Sequence, residues 1–242
     1  MSHVQYLEVE GRRIAYRHRE GASPTILFLA GYGSDMEGAK ALALDAFAER
    51  RGIGLVRLDY SGTGSSGGEF HQGTLTLWLD EALAVLDRVT DGPVILAGSS
   101  MGGWIALHLA LRRPERIKAL VGIAAAPDFT DWGFPEVLRA TLKDQGQLGG
   151  EGGAPMMTYR FWESGQQLLL LGGEIDVRCP VRLIHGDADT DVPVDIAMRT
   201  MARLRSADVQ LTIIKDGGHR LSEPHQLDAI LRTVAALVEP ES

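Results

Sequence analysis

The stretch PVILAGSSMGGW, residues Pro93 to Trp104, predicts a buried strand that turns at a serine directly into a helix. Its Gly-x-Ser-x-Gly spacing is met by Gly98, Ser100 and Gly102. A strand that passes at once into a helix holds the serine in a strained backbone conformation, and glycines two residues before and after it prevent collisions. Ser99 fails this test because its neighbours at the same spacing are not glycines. We therefore predict that Ser100 stands exposed at a nucleophile elbow.

Length and composition predict one soluble α/β domain spanning residues 1–242. An apolar content of 45% and a charged content of 23% are ordinary for a globular protein. The formal charge of -8 is spread along the chain without a basic stripe, so we expect neither nucleic acid nor an anionic membrane as a partner. No apolar run approaches the ~20 residues of a membrane span, and the first residues do not resemble a signal or transit peptide. We expect a cytoplasmic enzyme, whose oligomeric state stays open.

Short β-rich runs alternate with longer helical runs along the chain. The eight strand candidates are residues 4–10, 12–19, 25–30, 54–60, 93–99, 117–126, 181–185 and 209–215. Helical periodicity appears at about 36–50, 74–90, 102–112, 193–205 and 223–238. The first two strands predict an antiparallel hairpin at a sheet edge, and the later, continuously apolar strands predict parallel pairing. This alternation indicates an eight-stranded, mostly parallel, doubly wound sheet, with functional residues at the carboxyl ends of its strands.

Residues 128–174 interrupt this rhythm, since some 45 residues pass without a predicted strand. The segment has short helical patches near 135–144 and 162–171 and a glycine-rich middle at 146–153. Six aromatic residues lie in it: Phe129, Trp132, Phe134, Tyr159, Phe161 and Trp162. We interpret it as a lid with a mobile middle, whose apolar side chains line an acyl pocket. The alternative is an insertion whose aromatic residues only cover the edge of the sheet.

A serine hydroxyl becomes a nucleophile when a positioned imidazole accepts its proton, so a histidine and a carboxylate are needed later in the chain. His219 follows the eighth strand in the loop Lys215-Asp-Gly-Gly-His219, and an acidic cluster follows the seventh. We choose Asp189 as the acid, because its His-Gly-x-x-Asp-x-x-Val-Pro setting resembles the acid turn of the α/β hydrolases. Asp187 and Asp191 are the nearest rivals.

Two other motifs resemble ligand-binding patterns, one for calcium and one for a dinucleotide, but each lacks a required feature. The spacing of the same acidic cluster imitates a calcium loop, but Val192 occupies the position where that loop requires glycine. The run Gly62-Thr-Gly-Ser-Ser-Gly67 matches a dinucleotide-binding pattern, yet the loop continues from Gly68 where a helix would have to begin. We expect no cofactor and no metal, and Cys179, the single cysteine, excludes an internal disulfide.

Negative charge develops on the substrate oxygen during nucleophilic attack, and two backbone amides must meet it. We assign the first amide to Met101, at the start of the helix that follows Ser100, where unpaired donors and the helix dipole favour an anion. The second is assigned to Tyr32, after the third strand in Leu-Ala-Gly-Tyr32-Gly. These two positions are the predicted oxyanion hole.

Several segments together resemble one family. They are Leu29–Ala41, Arg57–Ser66, Gly98–Trp104 and Cys179–Gly186. On these motifs the chain resembles the α/β hydrolases, and within them the mycophenolic acid acyl-glucuronide esterases, also described as palmitoyl-protein thioesterases. The resemblance covers most of residues 25–235 and implies hydrolysis of esters and thioesters.

The sequence hypothesis is a cofactor-independent serine esterase or thioesterase. Its substrate would be a small molecule or an acylated protein with an apolar acyl group. Two alternatives remain: a carbon-carbon bond hydrolase or perhydrolase on the same fold, and a catalytically silent scaffold that acts as a binding module.

Overall fold

The computed structural model describes residues 3–149 and 157–238. Its strands are β1 (Val4–Val9), β2 (Arg12–Arg19), β3 (Ala22–Leu29), β4 (Ile53–Leu58), β5 (Val94–Ser99), β6 (Ile117–Ile123), β7 (Gln147–Leu148), β8 (Met157–Thr158), β9 (Val181–Gly186) and β10 (Val209–Ile214). Its helices are α1 (Ala39–Arg51), α2 (Leu75–Val89), α3 (Met101–Arg112), α4 (Phe129–Trp132), α5 (Glu136–Gln145), α6 (Tyr159–Gln166), α7 (Val194–Arg203) and α8 (Pro224–Val238). No helix among these residues is both long and apolar enough to cross a membrane.

Within the described residues, eight strands form one sheet in the order β1-β2-β4-β3-β5-β6-β9-β10. The β1–β2 and β2–β4 pairings are antiparallel, and the other pairings are parallel. Strand β5 is buried along its whole length, as its continuous apolar run requires between two layers of helices. The predicted fold class, an eight-stranded and mostly parallel sheet with an antiparallel edge hairpin, is confirmed.

Element boundaries differ from the sequence prediction where backbone geometry or a cap intervenes. Strand β6 ends at Ile123, three residues before the predicted end, because Ala124 adopts a φ of 43° that no strand can continue. Helix α6 starts at residue 159 rather than 162, because the side chain of Thr158 accepts a hydrogen bond from the Phe161 amide at 3.1 Å. Capping by a side chain thus sets a boundary that periodicity alone places too late.

The insertion, which we define as residues 128–174, contains α4, α5 and α6. The expectation that it has no strand is wrong, since β7 and β8 pair antiparallel over two residues each. Two residues are too few to show the alternation by which a strand is recognised. The glycine-rich middle, residues 146–153, was predicted to be mobile, and residues 150–153 of it lie outside the described residues.

The ends of the insertion are tied to the body of the protein by a buried carboxylate and two α3 side chains. Asp128 accepts hydrogen bonds from the amides of Leu170, at 2.8 Å, and Leu171, at 2.7 Å. Burial raises the pKa of Asp128, and these two amide donors offset part of that rise. The Leu168 carbonyl accepts from the indole of Trp104 at 3.0 Å and lies 2.9 Å from Nε2 of His108. The start and the end of the insertion therefore have fixed positions beside α3.

Candidate active site

Ser100 lies at the turn between β5 and α3, with φ 54° and ψ -120°. This conformation is rare for a residue with a side chain, and the close approach of two segments maintains it. A Cβ atom on Gly98 would lie 2.3 Å from the carbonyl oxygen of Gly102, and a Cβ on Gly102 would lie 2.1 Å from that of Leu29. The Ser100 amide donates to the Ile123 carbonyl at 3.0 Å. The two glycines are therefore required by contacts with backbone, as the spacing of the motif predicts.

His219 contacts both other members of the predicted catalytic set. Its Nε2 atom lies 3.0 Å from the Oγ of Ser100, and its Nδ1 atom lies 2.8 Å from Oδ2 of Asp189. The imidazole is 21% exposed, whereas the carboxylate behind it is fully buried. The structure thus brings together one hydroxyl, one imidazole and one carboxylate from the ends of three strands.

The carboxylate of Asp189 accepts hydrogen bonds from backbone amides as well as contacting His219. Its Oδ1 atom accepts from the amides of Val192, at 2.8 Å, and Asp191, at 2.9 Å. Burial raises the pKa of this carboxyl, but the hydrogen bonds from His219 and from the two amides outweigh it and leave the pKa below its usual range. An ionised Asp189 keeps the His219 ring in the tautomer whose Nε2 can accept a proton.

The two rivals for the acid have other positions. The carboxylate of Asp187 accepts from the amide of Asp216 at 2.6 Å, and so links the turn after β9 to the loop that carries His219. Asp191 is exposed and lies at the rim of the pocket described below. Neither contacts the imidazole of His219, so geometry separates three carboxylates that the sequence left close together.

His185 is a buried neighbour of the acid whose contact the sequence did not reveal. Its side chain is 1% exposed, and its Nε2 atom lies 2.9 Å from the carbonyl oxygen of Val192 and 3.4 Å from Oδ2 of Asp189. The sequence interpretation, a structural residue that closes a strand, agrees with its place at the end of β9. It also braces the turn that carries Asp189.

The loop after β3 places Tyr32 beside the serine. A Cβ atom on Gly31, the preceding residue, would lie 3.3 Å from Cβ of Ser100, so the backbone of this loop passes directly over the elbow. Met101 is the first residue of α3, where amide groups point away from the helix. Tyr32 therefore follows a residue that packs against Ser100, and Met101 follows Ser100 directly; their assignment to the oxyanion hole stays a prediction.

The side chain of Tyr32 has a role that the sequence did not indicate. Its ring lies 4.7 Å from that of Phe161, 5.2 Å from Phe70 and 5.8 Å from Trp78, measured between centroids. Burial raises the pKa of the Tyr32 phenol. Because the ring packs against both α2 and the insertion, it fixes the loop whose backbone lies over Ser100.

A pocket of about 210 Å³ opens beside Ser100 and His219. We call it the acyl pocket; its other lining residues are Tyr32, Ala126, Phe129, Trp132, Gly133, Phe134, Asp191 and Val192. Only three of the six aromatic residues in the insertion belong to this lining. Phe161 instead packs against the core, and the Trp162 indole donates to the carbonyl of Thr130 at 2.7 Å. The insertion thus supplies one wall of the pocket and covers the sheet with its other face.

Asp59, directly after β4, is a structural residue whose role the sequence did not indicate. It accepts hydrogen bonds from the amides of Met36, at 2.7 Å, and Ser65, at 2.8 Å, and so joins two loops near the site. A Cβ on Gly64 would collide with its carboxylate at 2.1 Å, which explains a glycine in this loop without a nucleotide. Helix α2 begins only at Leu75, well beyond the glycines. These glycines therefore belong to a tight turn that packs around Asp59.

Comparison with known proteins identifies the class to which this fold and site belong. Residues 21–149 match the family model described as serine aminopeptidase, S33. A human protein named palmitoyl-protein thioesterase ABHD10, mitochondrial, is 37% identical over 235 residues, which cover 93% of this chain and 76% of the relative. The chain is an α/β hydrolase, as the sequence predicts.

Solved structures place it more narrowly. A mouse structure described as alpha/beta hydrolase domain-containing protein 10 has a TM-score of 0.93 and 34% identity, with 98% of each chain covered. A structure from Agrobacterium vitis S4, described as a hydrolase, has a TM-score of 0.91 and 39% identity over 99% of each chain. The chain belongs to the same α/β-hydrolase family as the ABHD10 proteins.

One expectation is overturned by these relatives. The human, orangutan and mouse ABHD10 proteins are named as mitochondrial, so the predicted cytoplasmic location is wrong. The reason is physical: the composition and charge of a folded domain report solubility and partners, and sorting depends on short segments recognised by receptors.

Proposed function

We propose that this α/β hydrolase is a serine hydrolase that cleaves carboxylic esters or thioesters through an acyl-enzyme, without a cofactor. The observation that carries the proposal is the unbroken contact from Asp189 through His219 to Ser100, with distances of 2.8 and 3.0 Å. A buried carboxylate, a partly exposed imidazole and a hydroxyl at a strained turn are the groups that acyl transfer requires.

In the proposed reaction the Ser100 oxygen attacks the carbonyl carbon while Nε2 of His219 takes the hydroxyl proton. The amides of Met101 and Tyr32 stabilise the resulting oxyanion, and losing one such donor typically costs about 2.7 to 4 kcal/mol of barrier. His219 then gives its proton to the departing oxygen or sulfur. A water molecule, activated by the same imidazole, releases the acid and restores Ser100. Asp189 orients the ring and stabilises the imidazolium throughout.

The acyl pocket supports an apolar acyl group. Phe129, Trp132 and Phe134 supply aromatic surface on the side of the insertion, and such surface favours hydrocarbon over a polar chain. The relatives named palmitoyl-protein thioesterase support S-acylated substrates. We propose that residues 128–174 act as a lid on a single domain of 242 residues.

The test compares two neighbouring serines. Ser100→Ala is expected to lower kcat/KM for p-nitrophenyl octanoate by at least about 10³-fold and to abolish labelling by a fluorophosphonate probe. Ser99→Ala is the matched control, because Ser99 is buried in β5 and has no contact with His219 among the described residues. Retained labelling of Ser100→Ala would refute the assignment. If the wild-type protein is labelled but hydrolyses no ester or thioester, the carbon-carbon hydrolase or perhydrolase alternative is favoured instead.

A further inference from the structure

The loop that carries His219 is tied to the rest of the protein on both sides of that residue. Before it, the carboxylate of Asp187 accepts a hydrogen bond from the amide of Asp216 at 2.6 Å. After it, the Nζ of Lys40, the second residue of α1, donates a hydrogen bond to the backbone carbonyl of Arg220. Because Arg220 follows His219 directly, Lys40 holds the chain one peptide unit from the imidazole.

The carbonyl of Arg220 cannot be satisfied by the helix that follows it. A helical carbonyl accepts from the amide four residues later. Here that residue is Pro224, the first residue of α8, which has no N–H to donate. The side chain of Lys40 supplies the donor that α8 does not. Replacing Lys40 by a residue without a donor therefore releases the segment after His219 from α1.

The other end of this tether lies beside the nucleophile. Helix α1 follows the loop after β3, in which Gly31 packs against Ser100. Lys40 shares the lining of one small cavity with Gly31 and Ser99, so its side chain runs past the backbone of the elbow. Lys40 is absent from the lining of the acyl pocket. It therefore links the backbone beside Ser100 to the loop that carries His219, without contacting the acyl group.

The position of Lys40 is unfavourable for a cation. It lies in the first turn of α1, where the helix dipole opposes a positive charge and no acidic residue offsets it. Burial lowers the pKa of Lys40 to about 8, and the charge of Arg220, on the loop after β10, acts in the same direction. From the loop after β3, Asp35 faces the same cavity, while Glu37 pairs with Arg17 at 2.5 Å. A cation kept against these effects indicates a function beyond stability.

We propose that Lys40 is a positioning residue, which holds the loop of His219 at the distance from Ser100 that proton transfer requires. Lys40 touches neither of the reacting groups and acts through the carbonyl of Arg220. A general base must lie within hydrogen-bond reach of the proton that it takes, and a misplacement of about 1 Å can cost about 10²-fold in rate. This inference rests on the ester or thioester hydrolysis proposed above.

The charge of Lys40 makes this positioning sensitive to pH. Above about pH 8 the ammonium becomes a neutral amine, whose hydrogen bond to the carbonyl is weaker than the charge-assisted one. The tether is therefore strongest below that pH, and kcat should fall to a lower plateau as pH rises through it. Burial raises the pKa of Cys179 to about 11, so its thiol titrates well above this range.

The test measures kcat and KM for p-nitrophenyl octanoate between about pH 6 and pH 9.5 in four proteins. Lys40→Met removes the donor and should lower kcat about tenfold to hundredfold at neutral pH, change KM less than about twofold, and abolish the fall near pH 8. Lys40→Arg keeps a permanently charged donor, so it should retain most of the wild-type kcat and also lack that fall. The wild-type protein is the reference for both. Lys118→Met is the matched control, because Lys118 donates to the Val238 carbonyl at 3.4 Å from the amino end of β6, away from the site.

The outcomes separate positioning from general stability. A wild-type kcat in Lys40→Met, a loss confined to KM, or a fall near pH 8 that persists in both Lys40 variants would overturn the inference. An equal loss of kcat in Lys118→Met would overturn it as well. If Lys40→Met does not fold, the pH profile of Lys40→Arg decides. Failure of the wild-type protein to hydrolyse the ester or to react with a fluorophosphonate probe would reject the proposed function itself.

Discussion

Nε2 of His219 lies 3.0 Å from Oγ of Ser100, although 119 positions separate the two residues in the chain. The strands that precede them, β5 and β10, are three positions apart in the sheet, which corresponds to about 14 Å at the usual strand spacing. The loop after β10 therefore has to reach back across β9 and β6. Its route is fixed by the bond between Asp187 and the Asp216 amide, and by the contact of Gly217 with Gly186.

The assignment of Asp189 as the acid predicts that its substitution lowers activity far more than substitution of Asp191, two positions away. Asp189→Asn should lower kcat by up to about 10⁴-fold, because a neutral amide no longer holds the productive tautomer of His219. Asp191→Asn, in the same turn but without contact to the imidazole, should retain most of the activity. Steady-state kinetics on one ester measures both. Equal losses in the two variants would contradict the assignment.

Close packing around Gly102, at the elbow, predicts a loss of stability on substitution by alanine that the open site of Gly172 does not predict. Gly102→Ala places a Cβ 2.1 Å from the Leu29 carbonyl oxygen, so we expect a loss of more than about 3 kcal/mol in the free energy of unfolding, or no folded protein. Gly172→Ala meets no atom within 4 Å and should be neutral or slightly stabilising. Urea denaturation of both variants checks the pair. A fully stable Gly102→Ala protein would mean that the β3 and α3 backbones are farther apart than described.

The aromatic wall of the acyl pocket predicts a dependence on chain length. Phe134→Ala should reduce kcat/KM for an octanoyl ester about tenfold, since it removes apolar contact from the chain, and should leave the acetyl ester nearly unchanged. Val137→Ala is the control, because Val137 belongs to the same insertion but is 70% exposed and outside the pocket lining. A series of esters from acetyl to palmitoyl measures the effect. Parallel loss on every chain length would argue that Phe134 acts on folding rather than on the acyl group.

Burial of Asp128 predicts how its contribution to stability changes with pH. Its pKa in the folded protein is raised above the unfolded value, so its contribution is complete below the unfolded pKa and declines as pH rises through the folded pKa. Asp128→Asn keeps an acceptor for the Leu170 and Leu171 amides and cannot ionise. We therefore expect the free-energy loss caused by this substitution to be larger near pH 4 than near pH 7. Denaturant titrations at both values test the sign, and a loss that grows with pH would refute it.

Much of the architecture follows from local patterns. Continuous apolar runs predicted the central parallel strands, because a strand covered on both faces has to be apolar throughout, whereas the less regular first two runs predicted the antiparallel hairpin at the edge. The spacing of glycines around Ser100 predicted the elbow, because steric exclusion there acts between residues four positions apart. The order of serine, acid and histidine required only that each follow a strand at the same edge.

Distant contacts decided the rest. The sequence favoured Asp189 over Asp187 and Asp191 only by its resemblance to an acid turn, whereas the folded turn brings Asp189 within hydrogen-bond distance of His219. Likewise, three of the six aromatic residues in the insertion line the pocket and the other three pack in or against the core. Composition predicts that the insertion is aromatic, but tertiary packing decides which of its side chains line the pocket. The Nζ of Lys40, in α1, donates a hydrogen bond to the backbone carbonyl of Arg220, in the loop after β10. These residues are 180 positions apart, so only the tertiary structure shows the contact. Steric constraints between residues close in the chain can be recognised from the sequence. A site assembled from the ends of separate strands depends instead on the order of those strands in the sheet and on the paths of their loops.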